Sequence, residues 1–357
     1  MINDFIYNSN KIQNIKGTCK WRSPSNIALI KYWGKKPNQI PLNTSLSITL
    51  NNCYTITEVS YQTRNKIGKN FEFFFEGKAK LSFEEKLNQF FNRIEKYCSF
   101  LSLLELKIES NNSFPHSSGI ASSASSYSAL SLCIMDIEKK LNPAIDDKYF
   151  FQKASFLARL GSGSACRSII GSFSSWGQTS ILDHSSDLYA TRFSSKIHNI
   201  FNDLCDTVLI VDKREKEVSS TIGHQLMKGH AYSNDRLDQA NSNLNKLKDA
   251  LENGNYDLFI KIVELEALSL HAMMMTSVPY FILMKPNTLE IINLVWKYRK
   301  EKKSKICFTL DAGANIHLIY PENEYAKVQL FIKSDLLKFC HLGEFINDKI
   351  GNGPFKL

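Results

Sequence analysis

Four stretches of this 357-residue chain place polar groups at spacings that could do chemistry. Asp311 stands in Thr309-Leu310-Asp311-Ala312-Gly313-Ala314-Asn315, at the end of an apolar run and beside a glycine turn. A carboxylate there can face a cleft and act as a base or an orienting group, although Asp is also common in hairpin turns. The run Asn26-Ile27-Ala28-Leu29-Ile30 leads into Lys31-Tyr32-Trp33-Gly34-Lys35, two lysines four apart with aromatics between them. Lysines suit phosphate and can fix a carboxylate; the plainer reading is a buried strand with a solvated basic end. Gly161-Ser162-Gly163-Ser164-Ala165-Cys166-Arg167-Ser168 alternates glycine and serine before a single arginine. Arg167 can offer a carboxylate two parallel hydrogen bonds, with hydroxyls taking the remaining lone pairs; a kinked helix is the alternative. Finally, Pro115 to Ala124 joins a strand to a long helix with small residues throughout. A helix start offers free N–H groups and a positive dipole end, and Ser122 and Ser123 add hydroxyls, so the stretch can hold a triphosphate. No Gly-Lys-Ser/Thr follows, which excludes a Walker loop, and a serine-rich helix cap competes with the phosphate reading.

Alternating elements must position these groups. Leu46 to Thr57, Phe71 to Phe75 and Leu104 to Glu109 read as strands. Leu87, Phe90, Phe91 and Ile94 predict a helix over Phe83 to Phe100, with Ser82 able to cap it. A loop over Asn111 to Gly119 leads to a helix from about Ile120 to Leu141, and Asp146 to Ile170 reads as a helix interrupted at Gly161 and Gly163. Strands are expected between Ser172 and Thr191 and over Asp206 to Val211. Helical patterns then cover Gly223 to Glu252, Tyr256 to Met275, Thr288 to Lys300 and Tyr325 to Leu337. Ile306 to Leu310 and Asn315 to Tyr320 predict a hairpin around Asp311. The pattern is α/β, the length suits two domains, and Asn199 to Asp203 is the expected boundary.

Composition narrows the class. The chain is 43% hydrophobic and 22% charged, ordinary for a globular protein and long enough to bury a core without disulfides or a structural metal. Its net charge of +9 suits an anionic partner. The densest basic cluster, Lys297 to Lys303, reads as a solvated helix end, and no wider interleaving of basic and aromatic residues marks a nucleic-acid surface. Eight cysteines without a Cys-x-x-Cys pair predict reduced thiols, and the histidines lack metal-ligand spacing. Met1 to Lys11 has no apolar signal core and no segment reaches transmembrane length, so no membrane partner and a cytoplasmic location are expected.

The Pro115 to Ala124 stretch resembles the phosphate loop of the GHMP small-molecule kinase superfamily, Pro-x-x-x-Gly-Leu-x-Ser-Ser-Ala, with Ile120 in place of Leu. Asn26 to Lys35 is more specific: it resembles the signature of mevalonate diphosphate decarboxylases, Asn-Ile-Ala-x-x-Lys-Tyr-Trp-Gly-Lys. Arg159 to Ser168 resembles that family's Arg-x-Gly-Ser-Gly-Ser-Ala-Cys-Arg-Ser, and Leu310 to Asn315 its Phe-Asp-Ala-Gly-Pro-Asn. Two weaker stretches, Lys216 to Thr221 and His271-Ala272, are similar to its Lys-x-Val-Ser-Ser-Thr and Phe-His-Ala. The motifs run in family order from residue 26 to 315.

The resemblance implies an α/β (α+β) architecture of the GHMP kinase type: an N-terminal domain with the ATP phosphate loop (1–200), a ferredoxin-like C-terminal domain (201–357), and an active site between them. It implies ATP and Mg²⁺ as cofactors, without assigning metal ligands, a phosphorylated mevalonate as substrate, no nucleic acid or membrane partner, and a homodimer. The implied reaction phosphorylates the tertiary 3-hydroxyl of mevalonate 5-diphosphate, then loses phosphate and CO₂ to give isopentenyl diphosphate. Asp311 would orient or deprotonate the hydroxyl, and Lys31 would keep Asp311 ionised. Arg167, with Ser162 and Ser164, would hold the carboxylate. Asn26, Tyr32 and Lys35 would bind substrate, the last two at its phosphates. Pro115, Ser118, Gly119, Ala121, Ser122 and Ser123 would line the ATP phosphates. Departures from the family pattern include Leu310 for Phe, Ala314 for Pro, Thr276 for Asp, Lys36 for Arg and His116-Ser117-Ser118 for Thr-Ala-Ala; none removes a proposed catalytic group. A decarboxylase of the 5-monophosphate would share most of this pattern. A kinase that stops at phosphorylation fits less well with Tyr32-Trp33-Gly34-Lys35 and Arg167, and a non-catalytic binding protein less well with the intact polar constellation.

Overall fold

The computed structural model describes residues 2–7, 14–64, 70–115, 120–214, 218 and 220–357. Two long antiparallel strands, β1 (Lys16–Ile30) and β2 (Ser45–Thr63), organise the first half. β3 (Phe71–Phe75) runs parallel to β4 (Leu104–Asn112), which pairs with β2, and β5 (Phe173–Trp176) pairs with the start of β2. The C-terminal Phe355–Lys356 adds an edge to β1. On β4, Leu104, Leu106 and Ile108 are buried while Glu105 and Lys107 face out, the period of two expected of a sheet with one covered face. β1 differs: from Ser23 to Ile30 both faces are buried.

The cover is made by α1 (Leu81–Ile94), α2 (Ser122–Leu141), α3 (Asp147–Gly161) and the one-turn α4 (Ala165–Ser168). Serines on the inner face of α2 let it approach the sheet closely: Ser128 Oγ lies 2.5 Å from Ser23 Oγ and Ser125 Oγ 2.6 Å from Thr55 Oγ1. Asp146 caps α3 by accepting the Tyr149 N–H at 2.7 Å. The first helix ends earlier than its pattern predicts. Ser82 lies inside it, Lys80 is the cap position, and two 3-10 turns carry the chain on to β4.

The second half contains β6 (Leu204–Leu209), α5 (Ser220–Gln225), α6 (Ser233–Asn253), α7 (Tyr256–Met275), α8 (Pro286–Lys302), β7 (Cys307–Thr309), β8 (Ile316–Pro321), α9 (Tyr325–Phe331) and β9 (Phe345–Lys349). The sheet order is β7-β8-β6-β9, antiparallel throughout. The helical stretch expected over Gly223 to Glu252 is two helices, separated at Gly229, whose φ of +76° has left the helical region. α6 ends at Gly254 (φ +71°) and Asn255 caps α7. The mixed α/β architecture expected from the sequence is therefore the one found. Fully buried Phe259, Leu244, Phe308 and Leu318 each contribute about 1.5–3 kcal/mol by leaving water. α7 packs on both β1 and β7, which brings the ends of those strands together. No described helix is long and apolar enough to cross a membrane.

Candidate active site

β1 ends at Ile30, and the next side chain is buried. Lys31, 1% exposed, donates from Nζ to the Ala28 carbonyl at 2.7 Å and to Asp311 Oδ1 at 2.8 Å. Asp311 follows β7 and keeps 28% of its side chain exposed, so the carboxylate, not the ammonium, opens to solvent. The His271 Nε2–H, from α7, donates to the Asp311 carbonyl at 3.1 Å and fixes the turn. Burial alone would raise the Asp311 carboxyl. The charge and hydrogen bond of Lys31, followed by His317 and Arg167, outweigh it and hold the carboxyl below its ordinary value. Burial likewise pulls the Lys31 ammonium down, against the attraction of Asp311 and Glu266.

Glu266 is a residue that the sequence motifs do not announce. It is fully buried on α7, accepts the Lys31 backbone N–H at 2.8 Å, and is neutralised by Arg236 at 2.6 and 3.1 Å and by Asn243 at 2.7 Å. Its spacing from Ile262, Val263 and Leu270 on one stripe of α7 was the available signal: an acid on an apolar face needs a partner.

Arg167 is buried on α4. Its Nε and Nη2 donate to Asn26 Oδ1 at 3.3 and 3.2 Å, and Nη1 donates to Ser45 Oγ. Of the five guanidinium N–H groups, three are thus used among the described residues. Asn26 in turn donates to Ser168 Oγ at 2.8 Å and to the Ser164 carbonyl at 3.2 Å, tying β1 to α4. Ser162 and Ser164 flank the approach, half-buried. Arg159, the first arginine of that motif, is consumed by the Leu188 and Asn38 carbonyls.

Tyr32 lies against Trp176 and His224, with ring centroids at 4.8 and 4.2 Å, and its phenol is pushed up by burial, so it is a neutral hydroxyl. His224 on α5 was not anticipated. Its Nδ1 accepts the Gly34 N–H at 2.9 Å, and burial, together with the charge of Lys35, pulls its imidazole down to about 3. Gly34 has a φ of +89°, a left-handed conformation that favours glycine. Lys35 is half-buried and reaches Gln39 Oε1 at 2.8 Å.

At the start of α2, the N-cap residue Ala121 is left-handed (φ +50°) and offers no side-chain cap, and the first turn has no acidic residue. The Ala124 N–H bonds the Ala121 carbonyl at 2.8 Å. Ser122 is half-buried and Ser123 exposed, and Ser123 Oγ lies 3.3 Å from Ser162 Oγ, so this helix start adjoins the serine–arginine segment. Pro115 is half-buried; Ser118 and Gly119 lie outside the described residues, as do Lys216, Glu217 and Ser219 of the weaker motif. One further cluster escaped the motifs: buried His317 and Asp206, paired at 2.7 Å.

Residues 23–188 match the family model described as diphosphomevalonate decarboxylase-like N-terminal domain, and residues 207–351 that described as mevalonate 5-diphosphate decarboxylase C-terminal domain. A diphosphomevalonate decarboxylase of Ganoderma lucidum is 30% identical over 333 residues, covering 87% of this chain and 80% of its own length. That of Aspergillus fumigatus is 28% identical over 332 residues, covering 88% and 79%. Among solved structures, MDDEF in complex with MVAPP, AMPPCP and magnesium superposes with a TM-score of 0.82 at 28% identity, covering 96% of this chain and 99% of that one. The mevalonate diphosphate decarboxylase of Staphylococcus aureus also gives 0.82 at 28% identity, covering 96% and 98%.

Proposed function

The chain belongs to the diphosphomevalonate decarboxylase family, and from that premise we propose that it converts mevalonate 5-diphosphate to isopentenyl diphosphate, CO₂, ADP and phosphate in the mevalonate pathway. The observation that carries this reading is the Lys31–Asp311 pair, its carboxylate open to solvent, with Arg167 close enough to act on it electrostatically.

ATP fits the start of α2, where the positive end of the helix and the Ser122 and Ser123 hydroxyls lie in a first turn without acidic residues. The described residues hold no cluster of three or more His, Cys, Asp or Glu that would cage a metal; Mg²⁺ commonly rests on phosphates and few protein ligands. When bound, ATP with Mg²⁺ supplies the phosphoryl group that turns a tertiary hydroxyl into a leaving group. Asp311 accepts the hydrogen bond of that hydroxyl and takes its proton as the oxygen attacks. A carboxylate is a weak base for an alcohol, so positioning contributes more than proton removal. Lys31 keeps Asp311 ionised and lies beside the charge that develops. Arg167, with Ser162 and Ser164, holds the substrate carboxylate until it departs, and Asn26 holds Arg167. Tyr32 and Lys35 bind the substrate phosphates. Residues 1–200 and 201–357 form the two domains on this reading, which the separately matched segments support. The enzyme is cytoplasmic and homodimeric; light scattering at twice the chain's 40.8 kDa tests the latter.

The deciding experiment is ADP and CO₂ release by purified protein, with mevalonate 5-diphosphate and the 5-monophosphate in parallel. Equal ADP and CO₂ from the diphosphate is the expected result. ADP without CO₂ makes the protein a kinase, and preference for the monophosphate transfers the reading to that substrate.

A further inference from the structure

His317 and Asp206 lie in the sheet of the second half, beside the reacting groups but outside every motif used above. Nδ1 and Oδ2 are 2.7 Å apart and the side chains are 2% and 0% exposed. Strand register fixes their placement. His317 on β8 stands opposite Val208 on β6 and Thr309 on β7, so Asp206, two residues before Val208, shares a sheet face with His317 and Thr309. Asp311 follows Thr309 by two residues. Because β8 lies between β7 and β6, the imidazole stands between the Asp311 end of β7 and the Asp206 carboxylate.

Two polar atoms on this face, Asp206 Oδ1 and Thr309 Oγ1, are buried without a partner among the described residues. The next carboxylate across the sheet, Asp348 on β9, is opposite Asp206 but is committed to the N–H groups of Asn51, Asn52 and Cys53, each at 2.7 Å. Packing alone does not call for this arrangement. Apolar residues of similar volume commonly do as well or better than a buried ionisable pair. A carboxylate–imidazole pair at low dielectric is a strong local dipole, positive at the ring, and the ring sits on β8, the strand next to the one that ends before Asp311.

We propose that Asp206 and His317 form a positioning pair for Asp311, in which Asp206 orients the imidazole and the imidazole holds the carboxylate ionised and in place from within the sheet. Neither residue touches substrate. The proposal rests on the decarboxylase reading above. It also agrees with the direction in which His317 moves the Asp311 carboxyl, which is downward, alongside Lys31.

The test compares wild type, His317→Gln, Asp206→Asn and the double variant. Measured for each are kcat, KM for both substrates, binding stoichiometry for a non-hydrolysable ATP analogue, and Tm. Each single variant is expected to lose about ten-fold in kcat, with KM values within about two-fold and full nucleotide stoichiometry, the pattern of an interaction that matters only in the transition state. The double variant is expected to be no slower than either single one, because the two side chains act as one unit. Wild-type kcat in His317→Gln, a loss matched by falling stoichiometry, or losses that multiply in the double variant would each overturn the pair's role; should Asp206→Asn not fold, His317→Gln alone decides. A wild type that yields neither ADP nor CO₂ overturns the decarboxylase reading and this proposal with it. An active wild type with unaffected variants overturns only the proposal.

Discussion

The Lys31 ammonium and the Asp311 carboxylate meet at 2.8 Å although 280 positions separate them in sequence. The pair is asymmetric. Lys31 is sealed from solvent and Asp311 is not, so the lysine depends on its partner more than the reverse. α7 enforces the meeting: it packs on both strands and holds the Lys31 backbone through Glu266 and the Asp311 backbone through His271.

Replacing Asp311 by Asn preserves shape and hydrogen bonding to Lys31 but removes the charge. Turnover is expected to fall by about 10²–10⁴-fold, the range of a positioned base, while an ATP analogue still binds at the start of α2. Steady-state CO₂ release with parallel nucleotide binding checks this; near-normal turnover would remove Asp311 from the mechanism.

The pH dependence follows from the same pair. On the proposed mechanism Asp311 works as the anion, so activity is expected to be lost as pH falls through its pKa, and that acid limb lies below the ordinary carboxylate range in the wild type because the cations outweigh burial. In Lys31→Met the largest opposing cation is gone and burial dominates, which moves the limb to higher pH. In kcat profiles from pH 4.5 upward the limb is expected to enter the range in Lys31→Met and to be absent in the wild type; superimposable profiles would mean that Lys31 does not set it.

Much of this site was legible because its groups lie in contiguous runs. Lys31 to Lys35, Gly161 to Arg167 and Asp311 to Asn315 are each a strand or helix end, where local residue types dictate local shape. Phe71–Phe75 and Tyr256–Met275 are found as their patterns predict, since a short aromatic strand and a uniformly apolar-striped helix leave little ambiguity. What escaped was long-range pairing of single residues. Glu266 with Arg236 and His317 with Asp206 are joined only by the tertiary fold, 30 and 111 positions apart. The break between α5 and α6 was missed for another reason: an isolated glycine is tolerated in helices, and only its left-handed φ at Gly229 reveals the stop.

Glu266→Gln tests how firmly β1 is held. Gln can still accept the Lys31 N–H, but Arg236, 3% exposed, is left as an uncompensated buried cation. Breaking a buried pair from one side costs about 3–5 kcal/mol, to be read from denaturant unfolding. A loss below about 1 kcal/mol would place the pair among those that contribute little.

Gly163→Ala probes the substrate side through a steric route. A Cβ at that position would stand 2.9 Å from the Tyr32 hydroxyl and 2.9 Å from Trp176 Cη2. Trp176 is fully buried and cannot yield, whereas Tyr32 is only partly buried, so the tyrosine moves. Because Tyr32 is assigned to the substrate phosphates, KM for mevalonate 5-diphosphate is expected to rise about ten-fold with kcat and the KM for ATP little changed, the signature of lost ground-state binding. In a Tyr32→Phe background the hydroxyl clash is absent and only the Trp176 contact remains, so the same change is expected to cost clearly less than in the wild type. Full additivity of the two substitutions would show that Gly163 acts through Trp176 instead.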